Sequence, residues 1–185
     1  MELMEAIRAR RAVRDFKPDT LERSQIEAVI AAGAQAPSAM NLQPWLFAVI
    51  QGADVLRAYS DRAKAHLLAT IDTDSPLATY RPHLADPAYN IFYGAPAAII
   101  VCARNRDPQA IEDSCLAAQN LMLAAWGIGL GTCWIGFARP WLSSPATLAE
   151  LRLPPTSVPV APIVIGKPRS LPVVTPRRPA EVIWL

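Results

Sequence analysis

Ala36-Pro37-Ser38-Ala39-Met40-Asn41-Leu42-Gln43-Pro44-Trp45 is the stretch whose reading organises the rest of the chain. A helical pattern precedes it and the apolar run 46–50 follows it. Two prolines stiffen it, while Ser38, Asn41 and Gln43 supply side-chain donors and acceptors. A loop this rigid and this polar, set between two core elements, is built to present hydrogen-bonding groups to something.

Upstream, residues 2–11 read as a helix with Leu3, Ile7 and the stem of Arg11 along one face. Asp19 followed by Glu22 reads as a capping box for a second helix, whose stripe of Ile26, Val29 and Ile30 runs to about Gln35. Downstream, 46–50 reads as a strand and 55–69 as a helix presenting Leu56, Tyr59, Ala63 and Leu67. Residues 72–93 carry Pro76, Pro82 and Pro87 among Asp, Tyr and His, which predicts a long loop of the lid or binding kind. Residues 97–103 are continuously apolar, the mark of an interior strand. Asp107-Pro108 opens a helix through about Trp126, and strands follow at 132–136 and 158–165. Helices alternating with four short strands predict one layered α/β or α+β domain over residues 1–185.

The 185 residues are 52% hydrophobic and 18% charged, which is ample material for a core and argues against disorder. A net charge of +2, with Lys and Arg scattered among acids, gives no argument for nucleic acid or an anionic membrane as partner. Residues 114–138 carry no charge over a length that would span a bilayer. Gln119 and Asn120 interrupt that run early, and four glycines break its second half, so a buried helix and strand are expected instead of a membrane span. Glu2 and Glu5 in a helical pattern predict no signal peptide. Cys102, Cys115 and Cys133 stand at unrelated spacings in apolar surroundings, which reads as buried free thiols in a reducing cytoplasm. His66 and His83 have no Cys or His neighbour at ligand spacing, so no metal is expected.

Four constellations carry chemistry, and each has two readings. Arg10, Arg11 and Arg14 would grip a phosphate if the helix continued, because positions four apart share a face. They equally suit a solvated helix end whose cations complement the dipole. Ser38, Asn41 and Gln43 match the mixed donor and acceptor edge of a flavin, and are also ordinary turn residues. The glycines of 127–136 follow a helix and precede a strand, so they are no dinucleotide fingerprint. They either let backbone approach a flat ring or let helix pack on strand. Arg177-Arg178 would place fixed charge near a reduced ring, or sit at the surface beside a proline. Taken together, the cationic and amide-bearing patches point to a bound anionic ring cofactor, read as FMN. The apolar end Val182-Ile183-Trp184-Leu185, reached through Pro168, Pro172, Pro176 and Pro179, predicts a tail laid across another surface, such as a partner subunit.

In this order the constellations resemble the nitroreductase family of FMN-dependent oxidoreductases. The matching pieces are Arg10-Arg11-Ala12-Val13-Arg14, the opening stretch 36–45, the helix segment 117–125, Gly129-Leu130-Gly131-Thr132-Cys133-Trp134-Ile135-Gly136, and Ile165-Gly166-Lys167-Pro168 before Pro176-Arg177. The resemblance implies an α+β fold with a central mixed β-sheet flanked by helices. It also implies an intertwined homodimer whose extended C-terminal segment, about 167–185, crosses onto the partner. FMN would then be held by Arg10, Arg11, Ala12, Arg14 and Arg177 of one subunit. Pro37, Ser38, Ala39 and Asn41 would approach from the other subunit, with backbone of Ile135 and Gly136 facing flavin N5. The implied activity is ping-pong hydride transfer from NAD(P)H to a nitroaromatic, quinone or similar acceptor, with no side chain acting as a catalyst. Relatives that cleave flavin or dehalogenate reductively, and a non-enzymatic flavin-binding module, are the alternatives. The chain departs from the family in having Ala12 and Ala39 where Ser is frequent and Thr175 where Lys is frequent; the missing hydroxyl at Ala12 forgoes on the order of 1 kcal/mol.

Overall fold

The sheet is built around a strand that is buried at every position. In the computed structural model, which describes residues 2–72, 74–173 and 175–185, β2 (Ala97–Ala103) is buried along its whole length. It pairs antiparallel with β1 (Trp45–Gln51) on one side and β4 (Val158–Gly166) on the other, and β3 (Gly131–Trp134) adds antiparallel to β4. The order is therefore β1-β2-β4-β3, with β1 and β3 as opposite edges. Alternation along β2 sends Ala97, Ile99 and Val101 to one face and Ala98, Ile100 and Cys102 to the other. Both faces must then be covered, and helices cover them. The first receives α2 (Arg23–Gly33) and α5 (Pro108–Gly127). The second receives α3 (Ala53–Thr70), α4 (Arg81–Ala85), α6 (Arg139–Leu142) and α7 (Pro145–Glu150). The architecture is α+β; the four strands pair antiparallel throughout, not as the mixed sheet expected, and among the described residues the parallel contact is the isolated bridge Ala12 to Thr132.

Local chemistry explains where the helices stop. Asp107 Oδ1 accepts from the Gln109 amide at 3.0 Å, with Pro108 in the first turn of α5. At the other end Leu130 N bonds to Ala125 O at 2.9 Å and Gly129 N to Trp126 O at 3.0 Å, with Gly129 at φ +81°. That paired closure needs a left-handed residue, which glycine provides. The capping box of α2 is formed by Glu22 and Gln25, one turn later than the Asp19–Glu22 pair read from the sequence. The 72–93 stretch is partly helical. Pro76 opens a 3-10 turn (Pro76–Tyr80) and Pro82 lies in the first turn of α4, positions that need no proline N–H. The short α6 and α7, unread in the sequence, use Pro140 and Pro145 in the same way.

The largest departure is at the N-terminus. Helix α1 spans Leu3–Ala9, and Arg10, at φ −55° and ψ 128°, leaves helical geometry. Arg10 and Arg14 therefore do not share a helix face. From there the chain runs extended along the sheet end: Val13 N donates to Thr132 O and Lys17 N to Lys167 O, each at 2.9 Å. Phe16 bridges Pro168, and Arg169 returns a backbone bond to Asp15 O at 3.0 Å. Val13 and Phe16 are buried, and each is seated against a glycine. A Cβ on Gly131 would lie 2.5 Å from Val13 Cγ2, and one on Gly166 would lie 2.9 Å from Phe16 and 2.7 Å from Pro96. Those two glycines face each other across β3 and β4. The α1 stripe read as packing is solvent-facing in this chain, with Leu3 at 66% exposure and Ile7 also exposed.

Cys102 and Cys133 are buried free thiols as expected, and Cys115 is half-buried. No helix among the described residues is long and apolar enough to cross a membrane. Gly131→Ala is expected to lower unfolding stability by about 1–3 kcal/mol, since the new methyl meets Val13 and not a flexible side-chain tip. Urea unfolding of the variant checks this; wild-type stability would mean Val13 is not wedged against the strand.

Candidate functional site

Where β3 ends, the chain opens a cavity of about 350 Å³, within the range of small-molecule sites. Cys133, Trp134, Ile135, Gly136 and Phe137 form one side, Leu67 of α3 and Leu77 of the 3-10 turn another. Ile91, Tyr93, Pro140 and Arg14 complete it. Arg14 is the one charged residue among these. Its guanidinium carbon lies 5.9 Å from the centre of the Tyr93 ring, a cation–π distance. Tyr93 and Tyr89 bring their hydroxyls to 3.5 Å, and burial pushes the Tyr89 phenol above its ordinary range. Burial likewise pushes the Cys133 thiol up, opposed by the charges of Arg14 and Arg10.

Gly136 opens the turn Gly136–Ala138, so its N–H has no intrahelical acceptor. A Cβ there would meet nothing within 4 Å, so the backbone faces open space beside the cavity. Ile135 differs: its N–H already donates to Pro162 O at 2.7 Å. Of the two backbone positions read from the sequence, Gly136 is the one with an amide left to give.

The arginines divide the same way. Arg11 is committed locally: Nη1 donates to Arg8 O at 2.7 Å and Arg10 O at 2.8 Å, and Nη2 reaches Thr175 O at 3.4 Å. It closes the end of α1, where carbonyls lack partners. Arg10 is held below its usual pKa first by burial and then by the like charges of Arg177 and Arg11. Arg177, far off in sequence, therefore returns to Arg10 within this chain. A half-buried guanidinium facing another cation is a place where an anion is favoured. In an extended segment, positions 10, 12 and 14 share a side, so the spacing of Arg10 and Arg14 keeps its sense although the helix is gone. Ala12 provides the bridge to Thr132.

The opening loop lies elsewhere. Met40, Asn41 and Gln43 all have left-handed φ, at 49°, 56° and 47°, which non-glycine residues hold only under constraint. The constraints are visible. Ser38 Oγ accepts from Gln43 N at 3.0 Å and Asn41 Oδ1 from Gln43 Nε2 at 3.0 Å. The Ala39 amide donates to the buried carboxylate of Asp113, 3.2 Å to Oδ2 and 3.4 Å to Oδ1. Ser38 and Asn41 thus satisfy the turn itself, while Pro37, Ala39 and Met40 present its surface. None of residues 37–43 lines the cavity. β1 and β3 flank the sheet with two strands between them, roughly 14 Å at ordinary strand spacing.

Sequence reading missed Tyr89, Tyr93 and Phe137, which lay in stretches without periodicity. It also missed Asp113, whose only signal is that it is the last charge before the uncharged run. Among the described residues no cluster of His, Cys, Asp or Glu would hold a metal ion.

The nitroreductase family model matches residues 7–167. The chain belongs to the nitroreductase family. A relative from Methanothermobacter thermautotrophicus is 27% identical over 140 residues, covering 74% of this chain, and the chain spans 61% of that relative's length. Nitroreductase NfnB of Mycolicibacterium smegmatis is 31% identical over 160 residues, 69% of this chain and 67% of that protein. A Bacteroides fragilis nitroreductase crystallised with bound FMN superposes with a TM-score of 0.86 at 25% identity, covering 100% of this chain and 99% of that one.

Asp113→Ala leaves the Ala39 amide without its acceptor, a loss on the order of 1–3 kcal/mol. Hydrogen exchange and limited proteolysis should then quicken within 38–43 before the rest of the fold. Unchanged exchange at Ala39 would mean the carboxylate does not hold this loop.

Proposed function

We propose that this chain binds FMN and, as an oxidoreductase, uses it to pass hydride from NAD(P)H to a small organic acceptor. The observation that carries the reading is the convergence at one end of β3 of an aromatic-walled cavity, a Gly136 amide at the start of its turn and an Arg10 crowded by the like charges of Arg177 and Arg11. That donor set fits the cofactor: an anionic phosphate for the cations, and a flat ring with hydrogen-bonding nitrogens for the amide and the apolar walls. When bound, FMN supplies ping-pong hydride transfer, from NAD(P)H to a nitroaromatic, quinone or similar acceptor.

The protein's own residues bind and orient. Arg10, Arg14 and Arg177 hold the phosphate and ring edge, and Arg11 fixes the chain end that carries Arg10. Ala12 keeps the backbone close to β3. Gly136 donates its N–H to the ring, with Ile135 locking that turn to β4. Phe137, Trp134 and Tyr93 keep water from the ring faces. The cavity lining contains no histidine or carboxylate; its ionisable side chains are the Cys133 thiol, the Tyr93 phenol and the Arg14 guanidinium, so protons come from water.

A second copy of the chain completes the site. Pro37, Ser38, Ala39 and Asn41 of one protomer approach the ring bound by the other, which accounts for a strained, well-tethered loop lying far from its own cavity. Leu3, Met4, Ile7, Leu116 and Ile128 form the apolar surface that such a dimer covers, and the exposed end at 182–185 lies across the partner. The free thiols accord with a cytoplasmic setting.

Purified protein is expected to be yellow, or to turn yellow with FMN, to sediment as a dimer, and to bleach with NADH or NADPH in stopped flow. A preparation that stays colourless with added FMN would falsify the reading. Arg14→Glu sets like charge against phosphate and is expected to weaken FMN binding at least tenfold, about 1.4 kcal/mol. An unchanged FMN titration would remove Arg14 from the phosphate site.

A further inference from the structure

Lys64, in the second half of α3, is an ammonium at 5% exposure that the cofactor site does not use. Its ammonium donates to Tyr89 O at 2.7 Å and Asp86 O at 3.0 Å, and the Asp61 carboxylate forms an ion pair with it at 3.3 Å. Two more side chains of α3 hold the same stretch. Arg57 donates to the carbonyls of Pro87 and Ala88, and Ser60 Oγ accepts from the Ile91 amide at 3.0 Å. Positions 57, 60 and 64 follow the spacing that places side chains on one helix face. Residues 86–91 belong to no helix or strand. One face of α3 therefore supplies the partners that a ladder would give to regular backbone.

This stretch leads directly into the cavity wall. Ile91 and Tyr93 line the cavity. Tyr93 stands at φ +55°, a conformation that a bulky aromatic keeps only when its surroundings enforce it. Its ring carries the Arg14 guanidinium at 5.9 Å and its hydroxyl meets that of Tyr89. The placement of Tyr93 and that of Arg14 are thus linked.

We propose that Lys64 is a positioning residue: by gripping the Asp86 and Tyr89 carbonyls it fixes Tyr93, and with it Arg14 and the wall that meets the electron acceptor. The kinetic consequence rests on the FMN reading above, whereas the fixing of the wall stands without it. An ammonium suits the task because a single nitrogen can donate to two converging carbonyls and still face a carboxylate. Methionine keeps the apolar stem but strands the two carbonyls, while the exposed Asp61 carboxylate keeps Arg57 at 3.6 Å.

The test compares Lys64→Met with Arg62→Ala on the same helix. Arg62 pairs with Glu150 at 2.6 Å and lies over Trp141 at 4.9 Å, away from 86–93. Cys133 lines the same cavity and serves as a probe: its alkylation by iodoacetamide is read from the mass of its peptide. Lys64→Met is expected to label at Cys133 about fivefold faster, because the wall opens locally. In FMN-loaded enzyme it is expected to raise KM for a nitroaromatic acceptor about tenfold, with kcat within about twofold. Arg62→Ala is expected to lower Tm and to leave both readouts at wild-type values. Unchanged Cys133 labelling in folded Lys64→Met, an unchanged acceptor KM in the loaded enzyme, or the same changes in Arg62→Ala overturns the proposal. Should Lys64→Met fail to fold, Ser60→Ala releases only the Ile91 amide and must move both readouts in the same direction, less far. Wild type that takes up no FMN defeats the functional reading, and the labelling comparison then decides this one alone.

Discussion

The structure depends on a steric allowance: two glycines paired across β3 and β4 leave the room in which Val13 and Phe16 are buried. Gly131 and Gly166 are register partners, so the missing side chains fall together at one corner of the sheet. Any side chain there would collide with the extended N-terminal segment or with Pro96. Because that segment fits, its backbone bonds to Thr132 and Lys167, and residues 10–14 are drawn to the end of β3. The cationic cluster is therefore a consequence of packing. Hydrophobic side chains seated in backbone holes bring charged neighbours to a place that charge alone would disfavour.

Sheet order then decides how far one chain gets toward a complete site. The cavity and the arginines lie at the β3 edge, and the strained loop enters β1 at the opposite edge. No motion of a loop this short would carry it across two intervening strands while Ala39 stays bonded to Asp113. The turn, with three left-handed residues, is fixed firmly to its own chain by Asp113 and by its own side chains. The exposed side chains around it, Met40 at 87% and Leu42 at 63%, agree with a contact made by another surface.

Much of this was legible in the sequence, for identifiable reasons. Periodicity gave β2, β4, α3 and α5 to within a residue or two, since their burial is set by contiguous apolar side chains. Ordered motifs gave the family, and the arginine and glycine segments it marks do meet at one end of β3. The end of α1 was not legible. Nothing local stops the helix at Ala9; the bridge at Ala12 and the burial of Val13 do, and both are contacts with residues more than a hundred positions away. The same holds within 72–93, where prolines that read as loop markers instead sit in first turns. The separate duties of the glycines arise only in the fold. In sequence they form one cluster, whereas in the fold Gly129 turns a helix end, Gly131 makes a hole and Gly136 faces the cavity.

Asp113 and Lys64 were invisible for another reason: in a string of letters, a buried charge looks like a solvated one. In the fold they solve the same problem with opposite signs. Irregular backbone exposes groups that no ladder satisfies, and those groups must find partners if they are to be buried. At the 38–43 loop the orphan is an N–H, and an anion accepts it. At 86–89 the orphans are carbonyls, and a cation donates to them. A hydrogen bond from or to a charged group is stronger than one between neutral groups, so each non-repetitive segment is held by the kind of side chain its own unpaired atoms require. Matching of this sort lets two surfaces without regular structure keep fixed shapes. Fixed shape is what a site needs when its chemistry comes from a bound group and its own residues only bind, shield and orient.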